Sequence, residues 1–192
     1  MNKIIFMIVA LTLVAPSFLY AETPEEVEVK ITTEYVDVYG DTLKELDKHL
    51  RQYGPLAANT NQKLRHAYGS CAWNVSYNYD HVEDEKGYSS PGSIKVTVYA
   101  TYHLPKWEAP DRVPQDVKNR WTAYAESVRV HEEGHKDIAV KAGHKLLDAL
   151  KALPSYRTSS DLNQAVRFAR DEIITQACIE QDSYDENSKK AR

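Results

Sequence analysis

The chain has 192 residues, with 24 Lys and Arg against 28 Asp and Glu for a formal charge of −4, and 42% of it is hydrophobic. That balance excludes a disordered chain, and a net negative charge with no dense basic run argues against a nucleic-acid partner. Two cysteines allow one disulfide and exclude a Cys-rich metal scaffold.

Met1-Asn2-Lys3 is a short positive start, and Ile4 to Ala15 is an apolar run broken by Pro16 and Ser17. Leu19-Tyr20-Ala21 then places a small residue before Glu22, which is the order of a secretory signal peptide over residues 1–21. The run is shorter than the roughly 20 residues a membrane span needs, so no stable membrane insertion is expected after cleavage. The remainder is expected as one periplasmic or secreted domain over 22–186 with a polar tail at 187–192. An oxidising compartment would let Cys71 and Cys178 pair.

Val27, Val29, Ile31 and Tyr35 alternate with polar residues, predicting a strand with one wet face whose phase slips at Val36 and Val38. Gly40-Asp41 turns the chain. Thr42 and Glu45 fit a capping box, with Leu43, Leu46 and Leu50 on one face of a short helix ended by Gly54-Pro55. Asn59 to Asn61 is expected as loop. Trp73, Val75, Tyr77 and Tyr79 predict a second strand, and Ile94 to Tyr102 a third. The polar stretch between them, with Ser90-Pro91-Gly92, is expected to form a long hairpin tip.

From Pro114 to Lys151 only Gly134 and Gly143 interrupt a helical period, and Trp121, Val128, His131, His135, Ala142 and Leu146 share one stripe. Leu153-Pro154 closes that helix. Ser159-Ser160-Asp161 caps a last helix running to about Tyr184, with Leu162, Val166, Ala169, Ile173 and Ala177 apolar. The expected fold class is α+β, a small antiparallel sheet packed on an active-site helix and a C-terminal helix.

His131-Glu132-Glu133-Gly134-His135 matches H-E-x-x-H. On a helix of 3.6 residues per turn the two His lie about 40° apart and one turn apart in height, so both imidazoles can meet one Zn²⁺. Glu132 lies round the helix from them, where it can take a proton from a zinc-bound water and pass it to a leaving amine. Two buried imidazoles one turn apart would otherwise each need a hydrogen-bond partner. Gly134 leaves room for another group to approach the helix closely.

The third ligand is expected from the last helix. Ile138 and Lys141 occupy the positions where a metzincin would continue, and His144 should face away from the pair. Glu180 falls within the apolar stripe and, if the two long helices are antiparallel about Ser155, comes level with His131. Glu172, at the stripe's edge, is the second choice. One Zn²⁺ per chain is expected, held by His131, His135 and Glu180.

Several marks recur together: Tyr39-Gly40, Gly54-Pro55, Trp73-Asn74-Val75, Leu104-Pro105-Lys106-Trp107, Trp121 and the H-E-x-x-H segment. With them the chain, over about Tyr35 to Tyr184, resembles the bacterial family catalogued as domain of unknown function 922, described as secreted zinc-dependent proteases. The resemblance implies a zincin-like fold, His131 and His135 as metal ligands, and Glu132 as general base. Members often follow a C-terminal Tyr-Asp pair with Thr and then His-Gly. Here Tyr184-Asp185 is followed by Ser188-Lys189-Lys190, with no His. The leading expectation is an exported zinc metallopeptidase acting on a peptide or protein substrate. The alternative is a non-catalytic envelope binding module with a structural or vestigial zinc site.

Overall fold

The computed structural model describes residues 27–58 and 64–190. The expected signal peptide and the loop at Asn59 to Asn61 lie outside the described residues. In chain order the elements are β1 (Val27–Asp37), α1 (Leu43–Tyr53), β2 (Leu56–Ala58), β3 (Leu64–His66), β4 (Ser70–Glu83), β5 (Ser89–Lys106), α2 (Gln115–Lys151) and α3 (Ser159–Lys190). This is an α+β fold.

Alternation along β5 builds the core. Ile94, Val96, Val98, Ala100, Tyr102 and Leu104 are all buried on the face turned to the helices. Ala139, Leu146, Leu147 and Leu150 of α2, with Leu162 and Val166 of α3, close over Val75 and β5. A second cluster joins Val38, Leu46 and Leu50 to Trp121, so α1 packs against the N-terminal half of α2. Thr42 and Glu45 form the expected capping box, each satisfying a backbone N–H at the start of α1.

β5 is the central strand of a three-stranded sheet in the order β1-β5-β4. β4 pairs with it antiparallel, as expected of the two tyrosine-bearing strands, but β1 joins it in parallel, with Val27 opposite Val96 and Asp37 opposite Lys106. The sheet is therefore mixed. Parallel pairing needs a crossover connection, here the whole run of α1, β2, β3 and β4.

The expected long hairpin tip is instead mostly strand. β4 and β5 continue to Glu83 and from Ser89, and a short turn is held by the Asp84 carboxylate, which accepts from the Lys86 and Tyr88 N–H groups, each at 2.9 Å. A bulge between Tyr79 and His81 absorbs the irregularity. Among the described residues Pro91 lies before β5 reaches β1, so its missing N–H costs no bond to that neighbour.

Residues 152–158 connect the two long helices, and they are tied to the sheet. Ser89 and Tyr156 exchange backbone hydrogen bonds of 2.7 Å in each direction. α3 continues past the expected end near Tyr184 to Lys190, with no Gly or Pro to stop it. Among the described residues no helix is long and apolar enough to cross a membrane.

The anticipated disulfide is not formed: both cysteines are free. Cys71, at the start of β4, packs against the Tyr102, Leu104 and Val128 cluster, whereas Cys178 lies on the exposed side of α3. Burial pushes the Cys71 thiol up to about 12.

Candidate metal centre

His131 and His135 share one face of α2, one turn apart, and α3 runs alongside it. His131 Nε2 lies 3.1 Å from Asp185 Oδ1, His135 Nε2 lies 3.1 Å from the same oxygen, and the two Nε2 atoms are 3.3 Å apart. Three potential ligand atoms thus meet at one point. Two ligands about 2.0–2.1 Å from a tetrahedral zinc lie about 3.3–3.4 Å from each other, so this triangle fits one face of such a site. All three residues also line the cleft described below.

The imidazoles are held from behind. Gln181, the last buried polar residue on α3, bonds His135 twice: its Oε1 contacts the ring Nδ1, and its Nε2 donates to the His135 carbonyl at 2.9 Å. An amide oxygen can only accept, so Nδ1 carries the proton and Nε2 faces Asp185. The Tyr184 ring stacks on His131 with centroids 5.0 Å apart and meets His135 edge-on at the same distance. Gly134 makes that possible. A Cβ there would lie 2.2 Å from the Tyr184 Oη.

The electrostatics follow from the same contacts. Hydrogen bonds from His131 and His135 hold the Asp185 carboxyl well below the usual carboxylate range, outweighing the opposing effect of burial. Burial works against protonating His135, but its bonds to Asp185 and Gln181 prevail and raise its pKa. A protonated His135 donates from both ring nitrogens. Deprotonated at Nε2, it keeps Nδ1–H on Gln181 and offers a lone pair at the point shared with Asp185.

Glu132 is 4% exposed, the one buried acid of α2. Its carboxylate packs where β4 begins: a Cβ on Gly69 would come within 3.0 Å of Oε1. Glu133 faces the other way, paired with Arg129. Both His131 and Glu132 line a cleft of about 470 Å³. Its walls are the β2–β3 hairpin (Leu56, Arg65), the start of β4 (Ser70 to Trp73) and α3 (Gln181, Asp182, Asp185).

Of the residues singled out from sequence, His131, Glu132 and His135 come together. Glu180 does not. Its carboxylate is held on the outer side of the helix pair by Lys141 and Lys145, at 3.0 and 3.1 Å. These lysines lower its pKa. Glu172 and His144 are exposed. The expectation about Glu180 assumed a tight turn at Ser155. The Ser89–Tyr156 tie draws the connection out to the sheet instead, and the register of α3 along α2 shifts by more than one turn. His131 therefore meets Asp185. A signal for this was present: Gln181 and Asp185 repeat the four-residue spacing of His131 and His135, so two antiparallel helices present matched pairs.

Fold and centre together define an α+β chain whose two longest helices converge on a His-His-Asp group beside a buried glutamate. The family model described as bacterial protein of unknown function (domain of unknown function 922) matches residues 33–191, and the chain belongs to that family. No curated protein and no solved structure matches the chain.

Proposed function

We propose that this protein is an exported zinc metallopeptidase of zincin-like design, with His131, His135 and Asp185 as the ligands. The observation that carries the reading is the convergence of those three ligand atoms in a cleft that also contains the buried carboxylate of Glu132. Three protein ligands with an open fourth position are the arrangement of catalytic rather than structural zinc sites. Among the described residues no fourth His, Cys, Asp or Glu joins the group.

Zn²⁺ bound there supplies a Lewis acid for the scissile carbonyl and lowers the pKa of its water to about 7. Glu132 takes the proton of the attacking water and delivers it to the departing amine. Gln181 keeps His135 in the tautomer that presents Nε2, and Tyr184 fixes both rings. The start of β4 forms one wall of the cleft, where an extended peptide backbone can lie along it by strand addition. Export rests on residues 1–21.

The test is zinc content and peptide cleavage in wild type and Glu132→Gln. The expected result is about one zinc per chain in both, with cleavage reduced roughly 10²–10⁴-fold in the variant. Equal cleavage by both proteins refutes the assignment. Zinc retained with no cleavage of any peptide library by wild type leaves the binding-module alternative.

A further inference from the structure

β1 is an edge strand with nothing on its free side over eleven residues, among the described residues. The opposite edge of the sheet is interrupted, and leaves only the short stretch along the cleft open. β4 carries the bulge at Tyr79/His81, and its first residue is covered by the β2–β3 hairpin, where Ser70 Oγ donates to the Leu56 carbonyl at 3.2 Å. β1 has no bulge, Pro or Gly. A row of free N–H and C=O groups of that length is a template for another strand.

Its side chains extend the core face into solvent. Val29 lies opposite Val98, Ile31 opposite Ala100 and Tyr35 opposite Leu104, all three β5 partners being buried. Yet Val29 is 39% exposed, Ile31 54% and Tyr35 62%, because the helices cover β5 and, beyond Val27, leave β1 bare. The other face of the strand carries Glu28, Lys30, Thr32 and Glu34.

We propose that a second copy of this chain pairs with β1, antiparallel about a twofold axis at Thr32, and extends the sheet from three strands to six. The partner is identified by self-complementarity. Alternation of side chains allows only registers that set odd residues against odd ones, since any other would turn the apolar face over. A twofold at Lys30 sets Lys30 against its own copy. One at Ile31 sets Glu28 against Glu34. One at Thr33 gains no ion pair, and one at Val29 sets Glu28 against Lys30 but pairs only residues 27–31. The axis at Thr32 pairs the whole strand: its ends set Glu28 against Val36 and Val27 against Asp37, but its centre sets Lys30 against Glu34, twice, and Val29 against Tyr35, twice, with Ile31 beside Thr33. Opposite charges and an aromatic facing a β-branched residue are the favourable cross-strand pairs.

The existing partners of these charges yield readily. Lys30 contacts Glu28 at 3.3 Å and Glu34 contacts His103 at 3.1 Å, with the Lys30 and Glu34 side chains 50% and 61% exposed. Pairs so exposed contribute little. Glu28 keeps Lys95 at 3.0 Å. Pairing at β1 leaves both metal clefts open, since the cleft lies at the β4 edge.

The experiment is sedimentation equilibrium of the purified exported protein with Lys30→Glu, Glu34→Lys and the double exchange, each checked for folding by circular dichroism. Wild type is expected to be a dimer at micromolar concentration. Each single reversal should raise the dimer Kd at least about tenfold, and the double exchange should restore it. In a Cys178→Ser background, Thr32→Cys should cross-link on oxidation and Thr33→Cys should not, a readout that stands even if a charge variant misfolds. A wild type that stays monomeric overturns the proposal, and so does a dimer indifferent to the single reversals or not restored by the exchange. A monomer whose β1 amides resist hydrogen exchange would mean that another segment of the same chain covers the edge, which also overturns it.

Discussion

Replacing Gly134 by Ala would put a methyl carbon 2.2 Å from Tyr184 Oη, 2.3 Å from Cζ and 2.9 Å from Cε1. Ordinary contact is about 3.5 Å, so the tyrosine ring must retreat by roughly 1.3 Å. It cannot do so without leaving its stack on His131 and its edge contact with His135. Overpacking of this kind costs about 1–3 kcal/mol, against which Ala recovers up to about 1 kcal/mol of helix propensity. The metal-free protein should therefore lose about 0–3 kcal/mol. Zinc affinity should fall further, because groups that orient ligands are worth about 10–100-fold in binding, or about 1.4–2.7 kcal/mol. Competition against a chromogenic chelator measures the affinity, and thermal unfolding of the chelated protein measures the fold. Removing the ring as well, in Gly134→Ala/Tyr184→Ala, should recover part of the lost affinity by relieving the clash. An affinity within about twofold of wild type for Gly134→Ala would refute the claim that Tyr184 positions the imidazoles.

Two further outcomes follow from the same geometry. Asp185→Ala should abolish stoichiometric zinc binding, whereas Glu180→Ala, which loses only the exposed contacts to Lys141 and Lys145, should keep it and change stability by at most about 1 kcal/mol; metal analysis of both variants decides, and the opposite pattern would restore Glu180 to the site. The half-buried Cys71 thiol, pushed up to about 12, stays protonated in the folded chain while an unfolded thiol ionises at about 8.5. The unfolded state then binds fewer protons above about pH 8.5, so stability must fall there, and the decline should be smaller in Cys71→Ala by urea unfolding at pH 7.5 and 10.

Local patterns carried the sequence reading where the deciding interactions are local. The capping box of α1, the unbroken period of α2 and the alternation of β5 each depend on neighbours a few residues away, and each formed as expected. The H-E-x-x-H pair needed only one helical turn. The third ligand needed the register between two helices more than thirty residues long. That register depends on a tie between Tyr156 and Ser89, which are far apart in the chain. The parallel placement of β1 is likewise non-local, since alternation says which face is apolar but not which strand lies beside it. Ser90-Pro91-Gly92 was misleading for a local reason. Turn-forming residues also suit a strand that, among the described residues, has one neighbour and a bulge opposite it.

Everything α3 contributes to the metal centre lies within a few turns of its end. Gln181 is the last buried residue there, and beyond it only Tyr184, Asp185 and Ser188 are even partly covered, among the described residues. Helix ends open locally at a small fraction of the free energy of global unfolding. Each such opening would withdraw Asp185, the Gln181 amide and the Tyr184 ring together, while the two imidazoles stay on α2. With a cation in the proposed site, opening of these turns alone would be enough to release it. The group is also assembled late: a nascent chain carries its two histidines about fifty residues before the aspartate, so the three residues could not enclose a cation until Asp185 has emerged.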